Sequence, residues 1–145
     1  MAQRRPLVAV SGQIQELPAS DSIKGDLALA AIVIDGGGAA ITTGVKGDLG
    51  PFPFACEIEE VTLLADQSGS IVIDVWKRAY ADYPPTTAQS ITASAKPTLS
   101  SASKAQNATL TGWTKAIAAG DTLRFNVDSA STVQRVQLAI KLRKT

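Results

Sequence analysis

Apolar and polar residues alternate near the end of the chain. Leu123, Phe125 and Val127 alternate with polar residues, and after the polar link at residues 129–131 a second alternation covers residues 135–143. A period of two is typical of strands with one buried face, and two such runs joined by a short link predict an antiparallel hairpin. Each strand would have one apolar face that another sheet must cover. The pattern therefore predicts a β-sandwich.

The first strong strand signal after the N-terminal region is the apolar run at residues 27–34. Asp35 and the glycine triplet at residues 36–38 end it. Residues 39–45 are again typical of extended chain, and Gly47 is the first of several glycines and prolines that predict a break.

The next two strands are predicted at residues 56–65 and 70–76, with a turn at residues 66–69 between them. The first of these changes parity, because Cys56 and Ile58 lie on one face while Val61 and Leu63 would lie on the other. One extra residue at Glu59–Glu60 would bring all four to the same face. We therefore predict a β-bulge at this position. In the second strand Asp74 is predicted to point outward.

The pattern weakens between residues 78 and 109, where Pro, Ser, Thr and Ala are frequent. This composition predicts long connections, with a short strand at residues 89–94 and another strand or edge at residues 110–117. Loops of such length are usually functional or packed against a partner. Together the signals predict seven to nine short strands and an all-β, antiparallel β-sandwich of jelly-roll type.

Residues 1–25 differ from the rest and are predicted to form an N-terminal arm, with the β-sandwich domain at residues 26–145. Two interpretations are open: a first strand with a frayed end, or an arm that becomes ordered on another subunit. In the second case the contacts would come from the apolar residues of the arm, which are Leu7, Val8, Val10, Ile14 and Leu17.

Composition argues against several classes of function. The 145 residues are 45% hydrophobic and 19% charged, with a net charge of +1, no histidine and one cysteine. The charge gives no basis for binding nucleic acid, and no apolar run reaches the ~18 residues of a membrane span. The lack of histidine removes the commonest general base and metal ligand. We therefore expect neither an enzyme nor a cofactor or metal, and the lone Cys56 indicates assembly in a reducing cytoplasm.

Three short motifs suggest chemistry, but each is better explained by structure. The glycine triplet at residues 36–38 lacks the Lys-Ser/Thr of a phosphate-binding loop. Residues 101–104 match S-x-x-K without the companion motifs of penicillin-binding enzymes. Glu57, Glu59 and Glu60 are strand neighbours with no aromatic subsite close to them in sequence, which favours a solvated strand face over a glycosidase pair.

The aromatic residues provide the remaining candidates for a site. Trp76, Tyr80, Tyr83 and Trp113 could stack on sugars. Tyrosine and tryptophan are also favoured in cores and subunit interfaces, because they bury a large area at low entropic cost. Both interpretations remain open, with core or subunit contact favoured over contact with a host glycan.

Several segments resemble a module of structural proteins of tailed bacteriophages. They are residues 33–38 (VIDGGG) with 41–47 (ITTGVKG), 64–77 (LADQSGSIVIDVWK), 96–100 (KPTLS), 120–136, and the arm segment 10–18 (VSGQIQELP). The resemblance spans roughly residues 7–143 and brings no catalytic residues with it.

This resemblance implies a virion protein assembled in the host cytoplasm. By analogy we expect a head-decoration or head-fibre subunit, with a homotrimer as the most plausible assembly and other capsid or tail proteins as partners. The alternatives are a tail-fibre or baseplate subunit and a glycan-binding module for host adhesion.

Overall fold

The computed structural model describes residues 6–16 and 25–145. The described chain forms a two-stranded sheet and a seven-stranded sheet, and every strand pair is antiparallel. The strands are β1 (Leu7–Val10), β2 (Gln13–Glu16), β3 (Leu27–Asp35), β4 (Gly44–Leu49), β5 (Cys56–Ala79), β6 (Thr98–Asn107), β7 (Ala116–Ile117), β8 (Asp121–Ser131) and β9 (Arg135–Lys144). Two short 3-10 helices occupy Tyr80–Asp82 and Thr87–Gln89. The all-β prediction is confirmed, and no helix of the described residues is long and apolar enough to cross a membrane.

The long strand β5 organises the large sheet. Its first part, residues 56–65, pairs with β9, and its second part, residues 70–79, pairs with β8. The predicted turn at residues 66–69 is therefore wrong, because the chain stays extended there. Gly69 instead allows a close approach: a Cβ at this position would lie 2.4 Å from Thr132 Oγ1. The register with β6 shifts on both sides of Gly69, which is typical of a β-bulge or bend in the strand.

The predicted C-terminal hairpin is also wrong, although both of its strands exist. The order of hydrogen-bonded strands in the large sheet is β3-β9-β5-β8-β4, so β8 and β9 each pair with β5 and not with each other. The supposed turn residues, 129–131, continue β8 and pair with residues 70–72 of β5. The chain then leaves β8 at Thr132, which has a φ of 68°.

The inner faces of the curled sheet share one core, as the sandwich prediction required. The alternating apolar residues of β8 and β9 are all buried: Leu123, Phe125, Val127, Val136, Leu138, Ile140 and Leu142. The edge strands β3 and β4 approach each other at Gly47, where an added Cβ would lie 2.6 Å from Ile32 Cδ1. Gly47 thus lies within β4 and allows this approach, whereas the sequence pattern predicted a break there.

The predicted bulge is confirmed. Glu59 has no partner in β9, because the register passes directly from Ile58 to Glu60. Ile58, Val61 and Leu63 are all buried in consequence. The extra residue corrects the parity of the strand, so a single inner face is maintained through its first part.

The region from residue 78 to 117 differs most from the prediction. The expected strand at residues 89–94 is reduced to one bridge between Trp76 and Ser90, and the expected strand at residues 110–117 to the two residues of β7. The ten-residue β6 was not predicted. Its sequence, TLSSASKAQN, has one large apolar side chain, Leu99, so it carries almost no hydrophobic period.

Candidate interaction surfaces

The N-terminal arm contains a hairpin. Strands β1 and β2 are joined by Ser11 and Gly12, whose φ angles of 50° and 80° are both positive, as in the two-residue type I′ turn. Because opposite residues of a strand pair share a face, Leu7, Ala9 and Ile14 lie on the same side with Glu16. We call these four residues the hairpin face.

The hairpin face is open to solvent in the single chain. Leu7 is 67% exposed and Ile14 is 75% exposed. The Ser-Gly dipeptide between two extended segments is a turn signal, so this hairpin could have been found from the sequence.

The residues predicted as arm contacts do not form one surface. Leu7 and Ile14 come together on the hairpin face, whereas Val8 is half-buried and lies on the opposite side with Gln15. Val10 is the last residue of β1 and pairs with Gln13. Leu17 lies outside the described residues. What the arm binds stays a prediction.

A second apolar surface lies on the outer side of β3, at the edge of the large sheet. Residues 27–34 were predicted as a continuous apolar strand, but only alternate residues face the core. The other set consists of Leu27, Leu29, Ala31 and Val33, which we call the β3 face. Its three large residues, Leu27, Leu29 and Val33, are 60%, 69% and 58% exposed.

The β3 face continues across the outer side of the sheet. Val33 lies opposite Gln137 of β9, which in turn lies opposite the exposed Leu64 of β5. Val33 and Leu64 line a shallow groove of about 370 Å³ together with Arg135 and Asp66. An apolar centre with a polar rim is typical of an interaction surface.

Two basic residues of β9 lie beside the β3 face, and they differ in whether they form ion pairs. Arg143, opposite Leu27, forms ion pairs with Glu57 at 3.4 Å and with Glu59. Lys141, opposite Leu29, forms no ion pair with any of the described residues. On its other side Lys141 lies opposite Glu60 of β5, and it lines a groove with Glu57 and Glu59.

Two of the candidate aromatic residues lie together in a groove. Tyr80 and Tyr83 line about 230 Å³ with Asp48 and Pro51, and both rings are exposed. The hydroxyl of Tyr83 donates to Asp48 Oδ2 at 2.9 Å. We call this the tyrosine groove.

Arg124 holds one side of the tyrosine groove in place. Its Nη2 donates to the Tyr83 hydroxyl at 2.7 Å, its Nε donates to Asp48 Oδ1 at 2.7 Å, and its guanidinium lies 5.1 Å from the Tyr83 ring centroid. The hydrogen bond from Arg124 lowers the pKa of Asp48 below its usual value. Tyr83 is thus fixed within a network, while Tyr80 presents a free ring.

Both tryptophans donate hydrogen bonds from their indole nitrogens to other groups of the same chain. Trp113 is buried in the core and its Nε1 donates to the carbonyl of Ala95 at 2.8 Å, so we place it in the core rather than on a contact surface. Trp76 is half-buried, and its Nε1 donates to Asp74 Oδ2 at 3.0 Å. The four aromatic residues therefore do not form one platform.

Asp74 ties the loop after the 3-10 helices to β5. As predicted, Asp74 lies on the outer side of the sheet. The loop covers it there, however, so that only 2% of the residue is exposed. Its Oδ1 accepts from Ser90 Oγ at 2.6 Å and from Thr92 Oγ1 at 2.7 Å, and Lys96 Nζ lies 3.3 Å from its Oδ2. Its hydrogen-bonding capacity is taken up by the protein, so this acid is structural.

Among the described residues, no group of three or more histidine, cysteine, aspartate or glutamate side chains is arranged to hold a metal ion. Glu57 and Glu59 of the carboxylate cluster pair with Arg143. Residues 101–104 lie within β6, and the glycine triplet follows β3 as a turn in which Gly37 N donates to Asp35 Oδ1 at 2.7 Å.

Comparison with known proteins gives distant similarities. No family model matches the chain, and no curated protein matches it. Among solved structures, the chain is similar to one from the capsid asymmetric unit of cyanophage Pam1, with 15% identity and a TM-score of 0.36, covering 94% of this chain and 97% of that one. It is also similar to a chain of infectious bursal disease virus, Gx strain, with 12% identity and a TM-score of 0.22. That match covers 100% of this chain and 42% of the viral one.

Proposed function

We propose that the chain is a non-enzymatic structural subunit of a tailed-phage virion, of the head-decoration or head-fibre type, held in the particle by its N-terminal arm. The observation that carries this proposal is the hairpin face, which exposes Leu7 and Ile14 in the single chain. A two-stranded hairpin alone is marginally stable in water, so a partner is needed to hold it. The resemblance of residues 7–143 to phage structural modules supports the same role.

The use of the polar residues agrees with a structural role. The chain has no histidine. Asp74 and Asp48 each accept several hydrogen bonds from the protein, and Glu59 pairs with Arg143. These acids stabilise loops and strands, and none of the three is left free to act as a general acid or base. A subunit of this kind gains stability from its neighbours in the assembly.

The test is incorporation into particles. Virions made with Ile14→Asp should contain much less of this protein than wild-type virions, as measured by quantitative mass spectrometry of purified particles. Val45→Asp is the matched control. Val45, like Ile14, is an exposed β-branched residue in a strand, but it lies in β4 and not in the hairpin. Equal incorporation of all three proteins would contradict anchoring by the arm, and an electron-microscopy map of the particle would separate a head position from a tail-fibre or baseplate position.

The tyrosine groove favours a second candidate function, a glycan-binding module for host adhesion. An exposed aromatic ring beside a carboxylate can stack on a sugar ring and accept bonds from its hydroxyls. Titration of host polysaccharide, followed by tryptophan fluorescence from the half-buried Trp76 or by a glycan array, tests this. Binding that is lost in Tyr80→Ser and kept in Ile14→Asp would support adhesion, and no binding by the wild type would reject it.

A further inference from the structure

Within residues 6–16 and 25–145, two sheet faces are left uncovered. The hairpin face presents Leu7 and Ile14, and the β3 face presents Leu27, Leu29 and Val33, and all five side chains are exposed. A sheet with one apolar face is normally stabilised by packing that face against another layer. In the single chain neither face covers the other.

Strand β3 also lacks the features that protect an edge strand. Residues 27–34 contain no charged residue, no proline and no glycine, and the nine-residue pairing of β3 with β9 has no bulge. Natural edge strands are usually short, charged or interrupted, because an open apolar edge promotes association. Such a strand is prone to associate with another chain, and its exposed apolar side chains are those of the β3 face.

The charges of the two faces are complementary. Glu16 lies on the hairpin face beside Leu7 and is the only charged residue in residues 6–16. Lys141 lies opposite Leu29 and forms no ion pair with the described residues. Packing the hairpin over β3 can bring this carboxylate to this ammonium group while Leu7 and Ile14 cover Leu29 and Val33.

We propose that the hairpin face of one copy packs on the β3 face of a neighbouring copy, with Glu16 paired to Lys141. This deepens the proposed function, on which it rests for the role of the arm in subunit contact, by naming a second copy as the partner. The two surfaces differ, so the contact is head-to-tail and closes into a ring when the rotation allows.

The first test is the oligomeric state of the purified full chain, measured by size-exclusion chromatography with light scattering over a range of concentrations. The wild type should be oligomeric. Ile14→Asp on the hairpin face and Leu29→Asp on the β3 face should each weaken association about tenfold or more, whereas Val45→Asp should not. Circular dichroism checks that each variant is folded, which is expected because all three positions are exposed.

A charge exchange tests the pairing itself and does not depend on the apolar substitutions. Glu16→Lys and Lys141→Glu should each weaken association, and the double variant should recover most of it. To show that the contact is between copies, Glu16→Cys and Lys141→Cys chains are mixed under mild oxidation. A disulfide-linked heterodimer on a denaturing gel is expected, while the native Cys56 is buried and should not react.

The outcomes separate this inference from the proposed function. A monomeric wild type at micromolar concentrations, without cross-linking, would overturn the inference. So would an oligomer that depends on Leu29 and not on Ile14, because the β3 face would then pair with itself. If Ile14→Asp reduces incorporation into particles but leaves the purified oligomer unchanged, the hairpin binds another virion protein: the proposed function stands and the inference fails.

Discussion

Thr92 donates a hydrogen bond from Oγ1 to Oδ1 of Asp74 at 2.7 Å, and both residues are buried. This contact joins a loop with little regular structure to the central strand β5. Ser90 donates to the same carboxylate oxygen. The position of the loop that follows the tyrosine groove in sequence thus depends on one acidic side chain.

The first prediction is that Asp74→Ala destabilises the fold by about 2–4 kcal/mol, because it leaves the hydroxyls of Ser90 and Thr92 without their acceptor in a buried site. The measurement is the free energy of unfolding from urea titration. The control is Asp128→Ala, which removes the other, more exposed partner of Lys96 and should cost less than about 1 kcal/mol. Similar losses for the two variants would contradict this account.

The second prediction concerns acid stability. Burial opposes ionisation of Asp74, but the hydrogen bonds from Ser90, Thr92 and Trp76 outweigh it and hold the pKa of Asp74 below its ordinary value. Since the folded-state pKa lies below the unfolded one, this carboxylate contributes stability that is fully present above about pH 4 and is lost as the pH falls through the folded-state pKa.

The comparison is between wild type and Asp74→Asn, with the free energy of unfolding measured from pH 6 to pH 2. The difference between the two proteins should be greatest near pH 6 and shrink as the medium becomes acid. Other acids, such as Asp48, contribute equally to both curves and cancel in the difference. A difference that does not change with pH would show that the charge of Asp74 has no part in its contribution.

The third prediction tests the approach of the two edge strands. Gly47→Ala places a Cβ only 2.6 Å from Ile32 Cδ1 and should cost about 1–3 kcal/mol through overpacking. Ile32→Val removes that same methyl group. In the Ile32→Val background the alanine should therefore cost little, and the double-mutant cycle should give a coupling of at least about 1 kcal/mol. Additive losses would mean that β3 and β4 are further apart in solution.

The sequence predicted strands correctly where the alternation of apolar and polar residues matches the buried and exposed faces of the sheet. The alternation of Leu123, Phe125 and Val127 identifies a strand with one buried face, and the parity fault before Val61 locates the bulge at Glu59. Both signals are visible because the core side chains are large and the neighbours polar. Pairing partners have no such signal, so the order of strands around β5 could not be predicted.

The errors have a common physical cause, which is that turn residues serve more than one purpose. Gly69 and the residues at 129–131 resemble turns, yet they continue strands, because glycine and small residues also allow other parts of the chain to approach closely, as Thr132 approaches Gly69. Strand β6 was missed since small residues such as Ala102 face inward there and hide the period. The interaction surfaces could not be predicted for a similar reason. Whether Leu29 is buried or exposed depends on which side of β3 faces the core, and tertiary pairing decides this.

The last prediction uses the turn of the hairpin. Ser11 and Gly12 both have positive φ, and a Cβ added at Gly12 would meet nothing within 4 Å, so only backbone preference is changed by substitution there. Ser11→Asn gives the Asn-Gly pair that favours a type I′ turn, whereas Gly12→Val opposes it by about 1 kcal/mol or more. If the hairpin binds a neighbouring copy, Ser11→Asn should lower the dissociation constant of the oligomer several-fold and Gly12→Val should raise it. The melting temperature of the large sheet, measured at concentrations where the chain is monomeric, should be the same in both variants, because the hairpin is a separate sheet. A change in melting temperature with unaltered association would instead indicate that the hairpin packs on its own chain.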